Sequence, residues 1–248
     1  ALLAARADPN LTHRESGEFA LLGAVGTRQH DVVQVLLQAS ADPNLFCDST
    51  GDFPLLTACS LQEGGIVDAL LRAKANPSQV HPRTESFPLL AAAGLGCLGV
   101  VESLLRAKAC PMQVCHDGGA VPLLKASFLG HLPVCSLLIH MHADIGYIER
   151  ASGDYSLILA ARGGHAKVVA LLLASSADVH QLNHITGSSP LLDAVHHGYT
   201  DVVRMLLGGF VDPNQFNLKQ PSTTPLEVAR RRGFRDIEGI LASSGALY

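Results

Sequence analysis

The chain of 248 residues has no tryptophan, and aromatic residues make up only 5% of it. A thick core built around bulky rings is excluded, so Leu, Val and Ala have to fill the interior. Long apolar runs are missing too. None approaches the roughly 18 consecutive residues that a membrane-spanning helix needs. Yet 48% of the residues are hydrophobic and the mean hydropathy is +0.25. The apolar residues must therefore be divided among many short segments, each packed on a neighbour. Positive charge is scarce: 18 Lys and Arg stand against 22 Asp and Glu, a net charge of −4. Nucleic-acid binders usually carry a basic field, so neither nucleic acid nor a membrane surface is expected as a partner.

The six cysteines, Cys47, Cys59, Cys97, Cys110, Cys115 and Cys135, show no paired framework spacing. Cys59, Cys97 and Cys135 fall in segments expected to be helical, where a thiol is a small apolar filler. This usage fits a reducing compartment, cytoplasm or nucleus. No Gly-rich phosphate loop, G-x-S-x-G elbow or H-E-x-x-H pair occurs, so the common catalytic signatures are absent. No catalytic residue, cofactor or metal is assigned.

What the sequence does have is an internal period. A Leu of a Leu-Leu pair falls at Leu2, Leu36, Leu70, Leu104, Leu138, Leu172 and Leu206, every 34 residues. A turn position gives Asp8, Asp42, Asn76, Cys110, Asp144, Asp178 and Asp212 at the same spacing. A helix-start position gives Ala20, Pro54, Pro88, Pro122, Ser156 and Pro190, then Pro225, which is 35 residues on. Self-similarity at such a period marks a solenoid whose units bury their apolar faces on one another.

Residues 187–214, GSSPLLDAVHHGYTDVVRMLLGGFVDPN, contain one whole unit. Ser188 or Ser189 can cap a helix through its hydroxyl, and Pro190 suits the first helical position. Leu191, Leu192, Ala194 and Val195 share one side of that helix. Gly198 breaks it. Thr200 is expected to cap a second helix whose apolar face holds Val202, Val203, Leu206 and Leu207. Gly208 and Gly209 are expected to stop it by adopting the left-handed conformation. In the second unit Gly64-Gly65 occupies the first turn of the outer helix, which is expected to start late.

The pattern G-x-x-P-L-x-x-A-x-x-x-G-H-x-x-V-V-x-x-L-L-x-x-x-A-D resembles the ankyrin repeat, most closely at residues 153–178 and 224–241. Residues 53–56, 87–90, 121–124 and 189–192 read Phe-Pro-Leu-Leu, Phe-Pro-Leu-Leu, Val-Pro-Leu-Leu and Ser-Pro-Leu-Leu where the family has Thr-Pro-Leu-His. Only Thr224 keeps the Thr and no copy keeps the His, so Leu and aromatic packing is expected in place of the family's Thr–His hydrogen bonds. The period of 34 exceeds the usual 33, and the extra residue is placed in the hairpin loop.

The resemblance implies an all-α solenoid of antiparallel helix pairs with projecting hairpin-like loops. Residues 1–248 are read as one array. Residues 1–10 form a partial repeat cut at its start, with further units or another domain expected upstream. Seven helix pairs follow, starting near residues 20, 54, 88, 122, 156, 190 and 225. The last carries Arg230, Arg231, Arg232, Arg235, Asp236 and Glu238 and is read as the capping unit, which needs a wetter outer face.

The resemblance also implies a function: non-catalytic protein–protein recognition on a concave face, as a monomer. Alternatives are a substrate-recruiting array of a larger enzyme, such as a kinase or ubiquitin ligase, and a direct inhibitor. The implied contact residues at the loop tips are Asp48, Thr50, Asp52, Arg83, Glu85, His116, Asp117, Asp154, His184 and Thr186. At the ends of the inner helices they are Leu61, Leu95, Phe128, Arg162, His196, His197, Arg231 and Arg232. Leu61, Leu95 and Phe128 either form an apolar interaction patch or pack under the adjacent unit. His196 and His197 are either a pH-sensitive contact or an exposed polar pair. Cys110, Cys115 and His116 share a loop, with His140 and His142 one unit on, but a structural zinc site needs four convergent ligands. Most of these residues already have repeat roles.

Overall fold

The computed structural model describes residues 7–115, 119–209, 211–220 and 223–246. The chain divides into two compact units, Ala1–Asp117 and Gly118–Tyr248. The first holds α1 (Ala20–Gly26), α2 (His30–Gln38), α3 (Pro54–Ser60), α4 (Gly64–Arg72), α5 (Pro88–Leu95) and α6 (Leu98–Arg106). The second holds α7 (Pro122–Phe128), α8 (Leu132–His140), α9 (Ser156–Arg162), α10 (Ala166–Ala174), α11 (Pro190–His197), α12 (Thr200–Gly208), α13 (Pro225–Arg232) and α14 (Arg235–Ser243). Each odd-numbered helix pairs with the even-numbered helix after it. Within each unit odd packs on odd and even on even, the odd helices more closely. The odd, inner helices therefore lie on the inside of each stack's curve. No helix among the described residues is long and apolar enough to cross a membrane.

The inner helices start alike. The residue before each has extended backbone, from φ −96°, ψ 158° at Thr224 to φ −141°, ψ 167° at Tyr155. Proline then fills the first turn in α3, α5, α7, α11 and α13. Only Ser189 and Thr224 cap with a side-chain oxygen, on the N–H groups of Leu192 and Glu227. Phe19, Phe53, Phe87, Val121 and Tyr155 hold that position elsewhere and are buried. Aromatic and aliphatic packing thus replaces the cap. Ser189→Ala should cost the second unit about 1 kcal/mol, the usual loss of a capping oxygen, read as a shift in the urea midpoint.

Three local expectations are corrected. Helix α4 begins at Gly64 in the same register as its neighbours, not late. Ile66 and Val67 of its first turns are buried, and their packing overrides the low helix propensity of glycine. Thr200 is the first residue of α12 rather than its cap, a position taken by Tyr199 without a side-chain bond. Gly208 ends α12 as a helical residue and Gly209 has φ −86°, so neither turns left-handed. After α2, α4, α6, α8 and α10 the left-handed residue lies one further on and is not glycine, being Ser40, Lys74, Lys108, His142 and Ser176, whereas after α14 it is Gly245.

Cys59 in α3 and Cys135 in α8 are buried, and burial pushes the Cys135 thiol up to about 11. Cys97 is not in a helix. It is the residue before α6, half-buried.

Candidate functional site

Several of the described hairpin loops fold around one buried or half-buried residue, a hub. In the first unit the hubs include Cys47 and His81, and in the second Glu149, Asn183 and Asn217, all separated by multiples of 34. The hub's backbone N–H donates across the loop: Cys47 to Asp52 O, His81 to Ser86 O, Glu149 to Asp154 O, Asn183 to Ser188 O and Asn217 to Thr223 O. At His81, Asn183 and Asn217 the side chain also receives the loop's own N–H groups. His81 Nδ1 accepts from Arg83 and Thr84 at 3.2 and 3.1 Å, and Asn183 Oδ1 accepts from Ile185 and Thr186 at 2.8 Å each. Hubs also reach the preceding loop. Cys47 Sγ donates to Ser16 O at 3.2 Å, Asn183 Nδ2 to Ser152 O at 2.9 Å, and Asn217 Nδ2 to Thr186 O at 3.2 Å. The loops of each unit are thus laced together, which fixes the contact residues they carry.

In the first unit Asp48, Thr50 and Arg83 are exposed at the tips, and Arg83 Nη2 reaches Asp48 O at 3.4 Å. Thr50 Oγ1 accepts from the N–H of Asp52, whose carboxylate lies 3.5 Å from the buried His81 Nε2. Glu85 is half-buried, with the Cys115 thiol 3.9 Å away. Leu61, the residue after α3, is half-buried, whereas Leu95 at the end of α5 is 42% exposed. His116 and Asp117 lie outside the described residues.

In the second unit Phe128 closes α7 at 43% exposure, beside the exposed Leu129. His184 and Thr186 are exposed at their tip. Asp154 and Arg162 are not available contact residues. Arg162 Nη1 and Nη2 donate to the two oxygens of Asp154 at 2.7 and 3.0 Å, and its Nε donates to Asp193 at 2.9 Å. Asp154 is 7% exposed. The charges sit in the right register, but each finds its counter-ion within the chain. Arg231 is ion-paired with Glu227 one helical turn back.

His196 and His197 diverge. The His197 ring stacks on Tyr199 with centroids 5.8 Å apart, and its Nδ1 lies 2.8 Å from Asp193 O. His196 instead meets Arg232 and lines a cleft of about 370 Å³ with Ser188, Leu192, Asp193, Gln220 and Arg231. Burial, then the Arg232 and His197 charges, hold its imidazole below the ordinary histidine range against the opposing pull of Asp193.

The hubs escaped sequence reading because their residue type changes along the chain, Cys47, His81 and Glu149 giving way to Asn183 and Asn217. Their even spacing is the signal that finds them. The same spacing finds a second exposed apolar register one residue earlier: Phe46, Val80 and Val114 in the first unit, Ile148 and Phe216 in the second.

A family model described as ankyrin repeats matches in three copies, over residues 123–217 and 157–247. No curated protein sequence matches the chain. Among solved structures, the human ASB11 ankyrin repeat domain is 20% identical and covers 92% of this chain and 98% of its own, with a TM-score of 0.79. The ankyrin repeat domain of Bcl-3, described as a unique member of the IkappaB protein family, is 26% identical over 90% of this chain and 99% of its own, with a TM-score of 0.74. An ankyrin repeat domain from Acinetobacter baumannii AYE is 29% identical over 78% of this chain and 98% of its own, with a TM-score of 0.68.

Proposed function

This chain belongs to the ankyrin-repeat family, and we propose that it binds a partner protein through the hairpin loops and inner-helix ends of each of its units. Ankyrin repeats are in general protein–protein interaction modules. The observation that carries the proposal is the exposure of Leu95 and Phe128 at inner-helix ends, next to loops held by hubs rather than left free. A large apolar side chain left in water on a pre-ordered surface is what a partner buries first. Pre-ordering by the hub lattice lowers the cost of binding, because little chain has to be fixed when the partner arrives. The mechanism is recognition without chemistry. Six unpaired cysteines favour a reducing compartment, the cytoplasm or nucleus.

The test is affinity capture from cell lysate by the whole chain and by the separate variants Leu95→Glu and Phe128→Glu, each checked for native circular dichroism. A charge driven into the apolar centre of an interface should cost about 2 kcal/mol or more, on the order of thirtyfold in affinity. A protein held by the parent and lost by a folded variant is the expected result. Retention of every captured protein by both variants rules the surface out.

A further inference from the structure

The cleft in the second unit holds a guanidinium with no counter-ion among the described residues. Helix α13 ends in three arginines, and two are matched: Arg230 Nε with Glu238 at 2.9 Å and Arg231 Nη2 with Glu227 at 2.5 Å. Arg232 meets no carboxylate among the described residues. Its Nη2 lies 3.1 and 3.0 Å from both ring nitrogens of His196, which sets it against the ring rather than on one lone pair. A guanidinium has five N–H donors in a planar fork, and no other hydrogen bond among the described residues engages those of Arg232. Across the cleft, Gln220 receives the Thr223 hydroxyl on Oε1 at 3.4 Å, and its amide N–H groups meet no acceptor among the described residues. The carboxylate in the lining, Asp193, is already occupied: Ser188 Oγ on Oδ1 at 2.5 Å and Arg162 Nε on Oδ2 at 2.9 Å.

We propose that this cleft receives one carboxylate side chain from an acidic segment of the partner, with Arg232 and the Gln220 amide as its donors. The inference rests on the binding surface argued above and names the chemistry recognised there. Charge decides the class of ligand. Arg162, Arg231 and Arg232 balance Asp154, Asp193 and Glu227, so the cluster is neutral while His196 is uncharged. One added carboxylate is compensated by one proton on His196. A phosphate dianion is not.

Binding is therefore coupled to pH. The groups facing His196 are Arg231 and Arg232 from α13, Asn217, Gln220 and Thr223 from the last loop, and Ser188, Asp193 and His197 beside it. Arg162 of α9 acts through Asp193. In the empty cleft, burial and the Arg232 charge disfavour the imidazolium. A carboxylate on Arg232 offsets that charge and favours the imidazolium. Binding takes up a proton, so affinity rises as pH falls through the histidine range, by at most tenfold per pH unit. It declines again near the ordinary carboxylate range, at about pH 4, where the ligand loses its charge.

The experiment titrates the isotopically labelled whole chain with a hexaglutamate peptide, a hexaglutamine peptide and inorganic phosphate. The His196 ring and Arg232 side-chain resonances are followed at pH 7.5 and pH 6. Hexaglutamate should shift both saturably, about tenfold more tightly than hexaglutamine and several-fold more tightly at the lower pH, the range of a charge-assisted contact with one linked proton. Arg232→Gln, at an exposed position, should lose about tenfold. His196→Asn should still bind but with the pH dependence gone. Equal binding of hexaglutamate and hexaglutamine, or shifts confined to other residues, overturns the site. Tighter binding of phosphate overturns the carboxylate assignment. If hexaglutamate fails while the Leu95 or Phe128 variant loses its captured partner, only the carboxylate pocket falls. If those variants keep everything, the surface falls with it.

Discussion

Replacing Arg162 with Met should destabilise the second unit by about 2–3 kcal/mol, below the range for a fully buried ion pair because Arg162 is half-buried. The side chain does not end in solvent. It donates three hydrogen bonds, two to Asp154 and one to Asp193, from the last turn of α9 into the loop before it and onto α11. Burial pulls its pKa down, but the Asp154 hydrogen bonds and the Asp193 charge outweigh this and raise it above the ordinary arginine value. Met fills similar volume and removes the charge. Asp154 then stays inside with one donor, the Asn183 amide at 2.8 Å, and Asp193 keeps only Ser188. The cost comes from those stranded carboxylates more than from any attraction lost. Adding Asp154→Asn to Arg162→Met should therefore recover about 1–2 kcal/mol, a coupling typical of residues in one network. Urea denaturation followed by circular dichroism reads both. A loss below about 1 kcal/mol for Arg162→Met, the scale of an exposed pair, would show that Arg162 is free to meet a partner after all.

Arg162 also shows where sequence reading stops. Period and Leu doublets place the helices because a unit that cannot bury its own face must repeat the burial at fixed spacing. Val203 and Leu206 of α12 repeat the buried positions of Val169 and Leu172 in α10 for that reason. The proline starts are legible because proline fixes the backbone wherever it sits. Glycines mislead: Gly64 and Gly209 carry permission for unusual backbone, not an instruction, and packing decides. At the candidate site the repeat register says which side of the stack a residue occupies. It does not say whether a counter-ion already stands there, and Asp154 and Arg162 found each other. Nor does it separate His196 from His197. Adjacent helical residues lie about 100° apart around the axis, enough to send one ring to Arg232 and the other to Tyr199.

Asn183→Leu should cost the second unit about 3–4 kcal/mol, while Asn183→His should cost about 1 kcal/mol, the difference being the price of buried polar groups left unmatched. Asn183 is fully buried and makes four hydrogen bonds: two accepted from Ile185 and Thr186, two donated to Ser152 O and Asp154 Oδ1. Leu removes all four. Histidine keeps most of the pattern, because the first unit already uses it there. His81 accepts two loop N–H groups on Nδ1, while its Nε2 faces Asp52, the counterpart of Asp154 three repeats earlier. At positions 81 and 183 the hub therefore supplies an acceptor for two N–H groups and a ring or amide nitrogen facing the preceding repeat. Close packing adds a limit. A Cβ on Gly153 would lie 2.7 Å from Asn183 Oδ1 at a φ of +70°, so the hub must be flat where that glycine approaches. An imidazole is flat and a leucine is branched. The reciprocal change His81→Asn in the first unit should be close to neutral. Equal losses for Asn183→Leu and Asn183→His in urea denaturation would mean that shape alone, and not the hydrogen-bond pattern, holds the loops in place.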